Sequence, residues 1–98
     1  MNIIAVTACP TGIAHTYMAA EQLEKTGKAL GHEIKVETQG AMGIENELTE
    51  DDIKNADIAI FAVDIEVEKG ERFDGIKKIN VGVQSAIVDP GGVFDKLT

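Results

Sequence analysis

Two runs of β-branched and apolar residues constrain the fold of this chain more than any other feature. The runs IIAVTA at residues 3–8 and DIAIFAVD at residues 57–64 are apolar almost throughout, which is typical of parallel strands that are covered on both faces. The run IKVE at 34–37 alternates polar and apolar residues and predicts a strand nearer a sheet edge. A weaker fourth candidate is KKINV at 77–81. Parallel strands need crossover connections, so helices are expected between them.

Helical signals lie between and after these runs. Residues 13–30 predict an amphipathic helix, which Gly31 ends. In LTEDDIKNAD, Thr49 is the predicted N-cap of a second helix, and Asp52 completes a capping box. The stretch VGVQSAIV predicts one or two further helical turns, and the dipeptide at 89–90 predicts the cap of a last short helix. The predicted inner stripe of the first helix is Ile13, Tyr17, Ala20, Leu23, Gly27 and Leu30.

The order strand, helix, strand, helix, strand, weak strand, helix predicts an α/β fold. We expect a single small open parallel sheet of about four strands in the order 2-1-3-4, with helices on both faces, as in flavodoxin-like and Rossmann-like folds. The chain has 98 residues, of which 44% are hydrophobic. Because this is enough for one core, residues 1–98 are expected to form a single domain.

Charge and composition exclude several classes of function. Seventeen acidic residues against nine basic ones give a formal net charge of −8, which disfavours binding to nucleic acid and to anionic membranes. No apolar run approaches the ~20 residues of a membrane span, and the opening MNIIAV lacks the features of a signal peptide. With one cysteine there is no internal disulfide, so a cytoplasmic location is expected. An acidic surface suits transient docking to a protein with a basic patch.

The chain's only cysteine, Cys9, follows the first strand in the stretch VTACPTGIAH. The predicted topology places it at the carboxyl edge of the sheet, beside the point where strand order reverses and where ligands bind in such sheets. Pro10 and Gly12 shape the turn, and the backbone N–H groups at the helix start form an anion site that also stabilises a thiolate. A buried cysteine that only fills space is the alternative. The turn residues around Cys9 favour the reactive cysteine.

The chemistry of this cysteine loop has several candidate forms. A basic residue six positions after a cysteine is typical of cysteine phosphatases, but those use arginine as a bidentate phosphate clamp, and His15 stands there instead. A carrier that holds a phosphoryl group therefore fits better than a hydrolase. An oxyanion reductase would need a resolving cysteine, and a flavin or nucleotide module would need a G-x-G-x-x-G loop. These alternatives stay open, as does the role of His15.

Two longer stretches match a known family. ACPTGIAHTYMAAEQLE at residues 8–24 resembles the phosphocysteine loop and first helix of the fructose-type enzyme IIB components of the bacterial phosphoenolpyruvate-dependent sugar phosphotransferase system (PTS). The similarity continues through residues 34–64 and in ERFDG at 71–75. It covers most of the chain, whereas the last part, after residue 75, is less diagnostic.

The resemblance implies a phosphoryl relay. A phosphohistidine of enzyme IIA donates to Cys9, and the phosphocysteine donates to a sugar, most commonly fructose, that membrane enzyme IIC binds during uptake. Mannitol or a mannose derivative stays open as the sugar. Neither a cofactor nor a metal is expected, and the domain is expected to be a monomer, cytoplasmic and peripheral to the inner membrane through enzyme IIC. The residues implied to bind the phosphoryl group are Pro10, Thr11, Gly12, Ile13, Ala14, His15 and Thr16.

Further polar residues at the same edge are candidates to support the cysteine loop or to form a docking wall. Thr38, Gln39 and Gly40 follow the second strand, and Asp64 ends the third. For Asp64, capping of the segment that follows it is the favoured interpretation. Arg72, the only arginine, is predicted to be solvated, and pairing with the phosphoryl group is its alternative.

Overall fold

The sheet has the predicted class of topology. A computed structural model describes residues 1–9, 13–40 and 43–97, and in these residues five strands form one sheet in the order β3-β2-β1-β4-β5. β1 pairs in parallel with β2 and β4, and β4 pairs in parallel with β5. The α/β class and the order of the four predicted strands are confirmed. The strands are β1 (Asn2–Ala8), β2 (Glu33–Gly40), β3 (Gly43–Glu45), β4 (Ile58–Val63) and β5 (Lys78–Val81).

The short edge strand β3 was not predicted. It runs antiparallel to the last residues of β2, with Thr38 opposite Glu45 and Gly40 opposite Gly43. Three residues are too few to show a period in the sequence. Because β3 covers the outer side of β2, the carboxyl half of β2 is an inner part of the sheet rather than its edge.

Helices cover both faces of the sheet, as predicted. Along β1, Ile3 and Ala5 point into a cluster with one set of helices, and Ile4 and Val6 point into a cluster on the opposite face. The first face is covered by α1, α3 and α4, and the second by α2 and a 3-10 turn at Gly70–Phe73. The helices are α1 (Ile13–Ala29), α2 (Glu50–Asn55), α3 (Val83–Val88) and α4 (Pro90–Asp95).

The inner face of α1 differs from the predicted stripe. Thr16, Ala19 and Leu23 are at most 1% exposed and pack against the sheet. Tyr17 and Leu30, which were predicted to face inward, are 39% and 54% exposed. Leu23 and Gly27 of the predicted stripe are buried, but the first half of α1 approaches the sheet through the small side chains of Thr16 and Ala19, which the spacing of the larger apolar residues did not pick out.

The predicted capping box at the start of α2 is confirmed. Asp52 N donates to Thr49 Oγ1 at 3.1 Å, and Thr49 N donates to Asp52 Oδ2 at 2.9 Å. Lys35 Nζ on β2 also donates to this carboxylate oxygen, at 2.7 Å. These hydrogen bonds from Lys35 and Thr49 lower the pKa of Asp52 from 3.8 to about 2.

We expect this carboxylate to make stability depend on pH in the acid range. Its pKa is lower in the folded than in the unfolded chain, so its contribution is complete above pH 3.8 and is lost as pH falls to about 2. Asp52→Asn should lower the free energy of unfolding by about 1 kcal/mol at neutral pH and by progressively less toward about pH 2. Urea titrations of both proteins across this range measure the difference. A difference that does not vary with pH would contradict the expectation.

Candidate functional site

Cys9 lies at the carboxyl edge of the sheet, directly after the central strand β1. It is 8% exposed and belongs to the apolar cluster on the α1 face. The strands on both sides of β1 reach the carboxyl end of β1, since Ala8 is in register with Gln39 of β2 and with Val63 of β4. The backbone N of Asp64 donates to Ala8 O at 3.1 Å. Cys9 therefore stands between two flanking strand ends, four residues before α1 begins.

The turn between Cys9 and α1 lies partly outside the described residues. This applies to Pro10, Thr11 and Gly12 and to the side chain of Ile13, so their predicted contacts with a phosphoryl group stay predictions. On the first turns of α1, Ala14 and His15 are exposed and Thr16 is buried. These three residues lie at the same end of the sheet as Cys9.

A hydrogen bond from Thr7, two residues before Cys9, joins β1 to the start of α1. Thr7 Oγ1 donates to Thr16 O at 3.1 Å. Thr7 lies two residues before Cys9 on the same face of β1, because side chains alternate along a strand. The hydrogen bond therefore fixes the first turns of α1 against the strand that ends in Cys9.

Thr38 and Gln39 lie on opposite faces of the sheet. Thr38 is in register with Thr7 and shares the α1 face with Val36. The amide of Gln39 lies on the other face, where its Nε2 donates to Glu68 O at 3.1 Å and its Oε1 accepts from Glu68 N at 2.8 Å. The next residue, Gly40, is exposed at the end of β2. Gln39 thus holds the segment that follows β4 close to the carboxyl end of β1.

A buried ion pair lies behind Gln39. Glu37 is fully buried, and Arg72 donates to both of its oxygens, with Nη1 at 2.9 Å and Nη2 at 3.0 Å. The carboxylate also accepts from Gln39 Nε2 at 2.7 Å and from Leu48 N at 2.9 Å. Burial raises the pKa of Glu37, but the hydrogen bonds from Arg72, Leu48 and Gln39 together outweigh it and lower the pKa below 4.5. Glu37 is therefore an anion at neutral pH.

The guanidinium of Arg72 is fully engaged by this network. Its Nε donates to Lys69 O at 2.8 Å, Nη1 also donates to Leu48 O at 3.3 Å, and Nη2 also donates to Glu68 O at 3.2 Å. Together with the two bonds to Glu37, these contacts use all five N–H donors of an arginine. The predicted solvated role of Arg72 is therefore wrong, because a fully buried carboxylate partner holds the side chain.

One feature of the sequence indicates this ion pair: a charged residue stands at an inward-facing position of β2. Glu37 occupies a position in β2 whose alternation points it away from the α1 face and into the second core, together with Gln39. A charged residue at such a position requires a partner of opposite charge. The partner is 35 residues away in the chain, and no local pattern connects the two.

Asp64 holds the start of α3. Its Oδ1 accepts from Val83 N at 3.2 Å, which satisfies one of the unpaired donors of the first helical turn. Asp64 is a capping residue, but it caps α3, 19 residues later, and not the segment that directly follows it as predicted. A role in supporting the cysteine loop stays a prediction. The carboxylate thus joins the end of β4 to the helix that follows β5.

Removal of this carboxylate is expected to weaken the domain. Asp64→Ala should lower the free energy of unfolding by about 1 kcal/mol, and Asp64→Asn should retain most of the stability, because asparagine is an equally good cap acceptor. Guanidinium titrations of the three proteins measure both effects. Equal stability of the alanine variant and the parent would show that the bond to Val83 contributes nothing.

In residues 1–9, 13–40 and 43–97, no three His, Cys, Asp or Glu side chains lie close enough together to hold a metal ion. Within the same ranges, no helix is both long and apolar enough to cross a bilayer.

The geometry defines a class of protein: an α/β domain with a mostly parallel sheet and a cysteine directly after its central strand. Several known proteins match the chain closely. The family model of the PTS system, lactose/cellobiose-specific IIB subunit, matches residues 4–96. A PTS system fructose-like EIIB component 2 of Escherichia coli K12 is 50% identical over 96 residues, which cover 98% of this chain and 91% of that protein. The PTS system fructose-specific EIIABC component of Bacillus subtilis is 50% identical over 95 residues, 97% of this chain and 15% of that protein.

Solved structures give the same result. The solution structure of the enzyme IIB subunit of a PTS from Escherichia coli K12 has a TM-score of 0.92 and 43% identity, and the match covers 98% of this chain and 89% of that one. A domain of the fructose-specific IIABC component from Borrelia burgdorferi has a TM-score of 0.91 and 47% identity, with coverage of 96% and 89%. The chain therefore belongs to the IIB components of the sugar phosphotransferase system, which are phosphotransferases in sugar uptake. The resemblance found in the cysteine loop is confirmed.

Proposed function

We propose that Cys9 accepts a phosphoryl group from a phosphohistidine of enzyme IIA and passes it to a sugar bound by enzyme IIC. The main support is the position of the chain's only cysteine, between the ends of β2 and β4 at the start of α1, in a member of the IIB family.

Each transfer exchanges one bond to phosphorus. In the first, the Cys9 thiolate attacks the phosphorus, the S–P bond forms, and the N–P bond to the donor imidazole breaks. In the second, a sugar hydroxyl oxygen attacks, the S–P bond breaks to restore the thiolate, and the hydroxyl proton passes to a base of the sugar-binding component. Phosphoryl transfer depends mainly on positioning and on stabilising spread negative charge. In this proposal the backbone N–H groups of Thr11 to Thr16 supply that stabilisation.

The state of Arg72 favours a carrier over a phosphatase. Arg72 is the only arginine of the chain, and its donors are engaged by Glu37 and by three backbone carbonyls. The cysteine loop therefore lacks the bidentate arginine clamp that a cysteine phosphatase uses. A phosphocysteine that waits for a second protein fits these residues better than one that is hydrolysed.

The names of the relatives support the proposed partners and the proposed sugar. Several are named as EIIABC components, such as the Bacillus subtilis protein, in which the EIIB part is joined to the others in one chain. On this basis we assign enzyme IIA as the donor, enzyme IIC as the site of the acceptor, and the cytoplasmic side of the membrane as the location. Fructose is the proposed sugar because several of the similar relatives are named fructose-like or fructose-specific. We also propose that residues 1–98 form one domain that acts as a monomer.

A reconstituted relay tests this function. The assay combines phosphoenolpyruvate, the general PTS proteins, a fructose-type enzyme IIA, membranes that contain the matching enzyme IIC, and labelled fructose, mannitol or mannosylglycerate in separate reactions. Fructose phosphate should form only when this protein is present, and the other sugars should react less. Steady hydrolysis of p-nitrophenyl phosphate by this protein alone, without sugar phosphate formation, would instead support a phosphatase.

A further inference from the structure

A fully buried carboxylate on β2 has no task in the proposed transfer steps. Glu37 is bound by both Nη atoms of Arg72 in the second core. A buried ion pair is a poor source of stability, because apolar residues of similar volume often stabilise a core as well or better. Charge at such a position therefore points to a role in fixing one local geometry. The bonds that Arg72 makes beyond Glu37 show which part of the chain is fixed.

The part of the chain that Arg72 holds is residues 64–69, directly after β4, which we call the crossing segment. Arg72 Nη2 donates to Glu68 O at 3.2 Å, and Nε donates to Lys69 O at 2.8 Å. Gln39 on β2 bonds to both the N–H and the C=O of Glu68. The end of the crossing segment is therefore held through its backbone by two side chains, so its conformation does not depend on which residues it exposes.

The path of the crossing segment runs past the end of the central strand. It begins at Asp64, whose N–H donates to Ala8 O at the end of β1, and it is bound at Glu68 by Gln39 of β2. Since β1 lies between β4 and β2 in the sheet, the segment crosses the carboxyl end of β1, which Cys9 follows. It does so on the face of the Gln39 side chain, opposite to the α1 face.

The crossing segment presents exposed side chains at this edge. Ile65 is 43% exposed and Glu66 is exposed, whereas Val67 packs against the second core. A loop that becomes ordered only when a partner binds loses conformational entropy, which weakens the complex. A loop that intramolecular bonds already hold in place avoids this loss. The buried pair thus has an effect on binding that its effect on stability does not reveal.

We propose that the Glu37–Arg72 pair positions the crossing segment as part of the surface that contacts enzyme IIA. This inference rests on the proposed function, in which the donor has to reach Cys9, beside the crossing segment. Glu37 and Arg72 do not touch the phosphoryl group. They act through the backbone of Glu68 and Lys69, so loss of the pair weakens binding of the donor and leaves the transfer step unchanged.

Arg72→Lys separates positioning from charge balance. Lysine keeps a cation beside the Glu37 carboxylate but lacks the planar fork that bonds a carboxylate and backbone carbonyls at the same time. The KM for phosphorylated enzyme IIA should rise about tenfold, with kcat changed by less than about twofold. Native-state hydrogen exchange is an independent readout. The Glu68 N–H, which donates to Gln39 Oε1, should exchange at least about tenfold faster than in the parent.

Asp52→Asn is the matched control for a general loss of stability. It weakens the cap of α2 and the bond with Lys35 and leaves every bond to the crossing segment in place. This variant should keep the parental KM, and its Glu68 N–H should exchange within about twofold of the parental rate. An Asp52→Asn protein with the same rise in KM as Arg72→Lys would overturn the inference, because the rise would then reflect stability alone.

A double variant guards against a folding defect in Arg72→Lys. Glu37→Leu combined with Arg72→Met leaves no unpaired charge in the core and also lacks the bonds to the crossing segment, so it should show the same rise in KM. A parental KM in both variants would overturn the inference, as would a fall in kcat at unchanged KM or parental exchange of the Glu68 N–H. A parent protein that takes up no phosphoryl group would instead contradict the proposed function, whereas the exchange measurement needs no transfer.

Discussion

Replacement of Cys9 by serine is expected to abolish phosphoryl transfer and to leave the fold intact. A serine hydroxyl is a far weaker nucleophile than a thiolate at neutral pH, and the chain has no second cysteine to replace it. We expect the transfer rate to fall by at least about a thousandfold, as is usual when a nucleophile is removed. The rate of phosphoryl uptake from phosphorylated enzyme IIA measures the effect, and circular dichroism verifies the fold.

His32→Gln is the control for Cys9→Ser, because His32 lies far from the proposed site. His32 lies half-buried after α1, where its ring stacks on Phe94 with 6.0 Å between centroids and contacts the amino terminus of the chain. This is the end of α1 opposite to Cys9. His32→Gln should therefore take up the phosphoryl group at the parental rate. Normal uptake by Cys9→Ser would exclude Cys9 as the acceptor.

The second large effect is expected from the buried ion pair. Arg72→Met leaves the carboxylate of Glu37, which is fully buried, without its cation. Loss of one partner of a buried pair costs about 3–5 kcal/mol, because an uncompensated charge remains in the core. Urea titration of the variant against the parent measures this loss. Since a small domain has only about 5–15 kcal/mol of stability, the variant should unfold at much lower denaturant concentration.

A double variant tests the reason for that loss. Glu37→Leu combined with Arg72→Met removes both charges, so it should be more stable than Arg72→Met alone. The pair Lys35–Asp52 is the control, since its side chains are 35% and 30% exposed. Lys35→Met should therefore cost less than about 1 kcal/mol. A cost of that small size for Arg72→Met would show that the buried pair contributes no more than a surface one.

Elements with local signals could be predicted from the sequence. The continuous apolar character of β1 and β4 identified two buried strands, and the Thr49–Asp52 capping box marked the start of α2 within one residue. The dipeptide at 89–90 likewise marked the start of α4. In each case the residues that determine the conformation are neighbours in the chain, so the pattern contains the physical cause.

Features that depend on distant partners could not be predicted. Strand β3 is held by its pairing with β2 and has only three residues. The partner of Glu37 is supplied by a turn after β4. The sequence placed Gln39 at the correct edge of the sheet, and alternation along β2 puts its side chain on the face opposite Thr38. No local pattern shows that its amide pairs with the backbone of Glu68.

The candidate site follows the same division. The position of Cys9 at the end of a central strand follows from local patterns and from the rule for parallel sheets. The burial of Thr16 follows from tertiary packing, because only the orientation of α1 on the sheet shows that this residue faces inward.

Direct mapping of the phosphorylated residue is the decisive measurement for the proposed relay. The protein is incubated with phosphorylated enzyme IIA, digested under conditions that preserve labile phosphoryl groups, and analysed by tandem mass spectrometry. A single phosphoryl group on Cys9, which disappears when fructose and enzyme IIC membranes are added, is the predicted result. A phosphoryl group on His15, or one on Cys9 that does not reach the sugar, would contradict it.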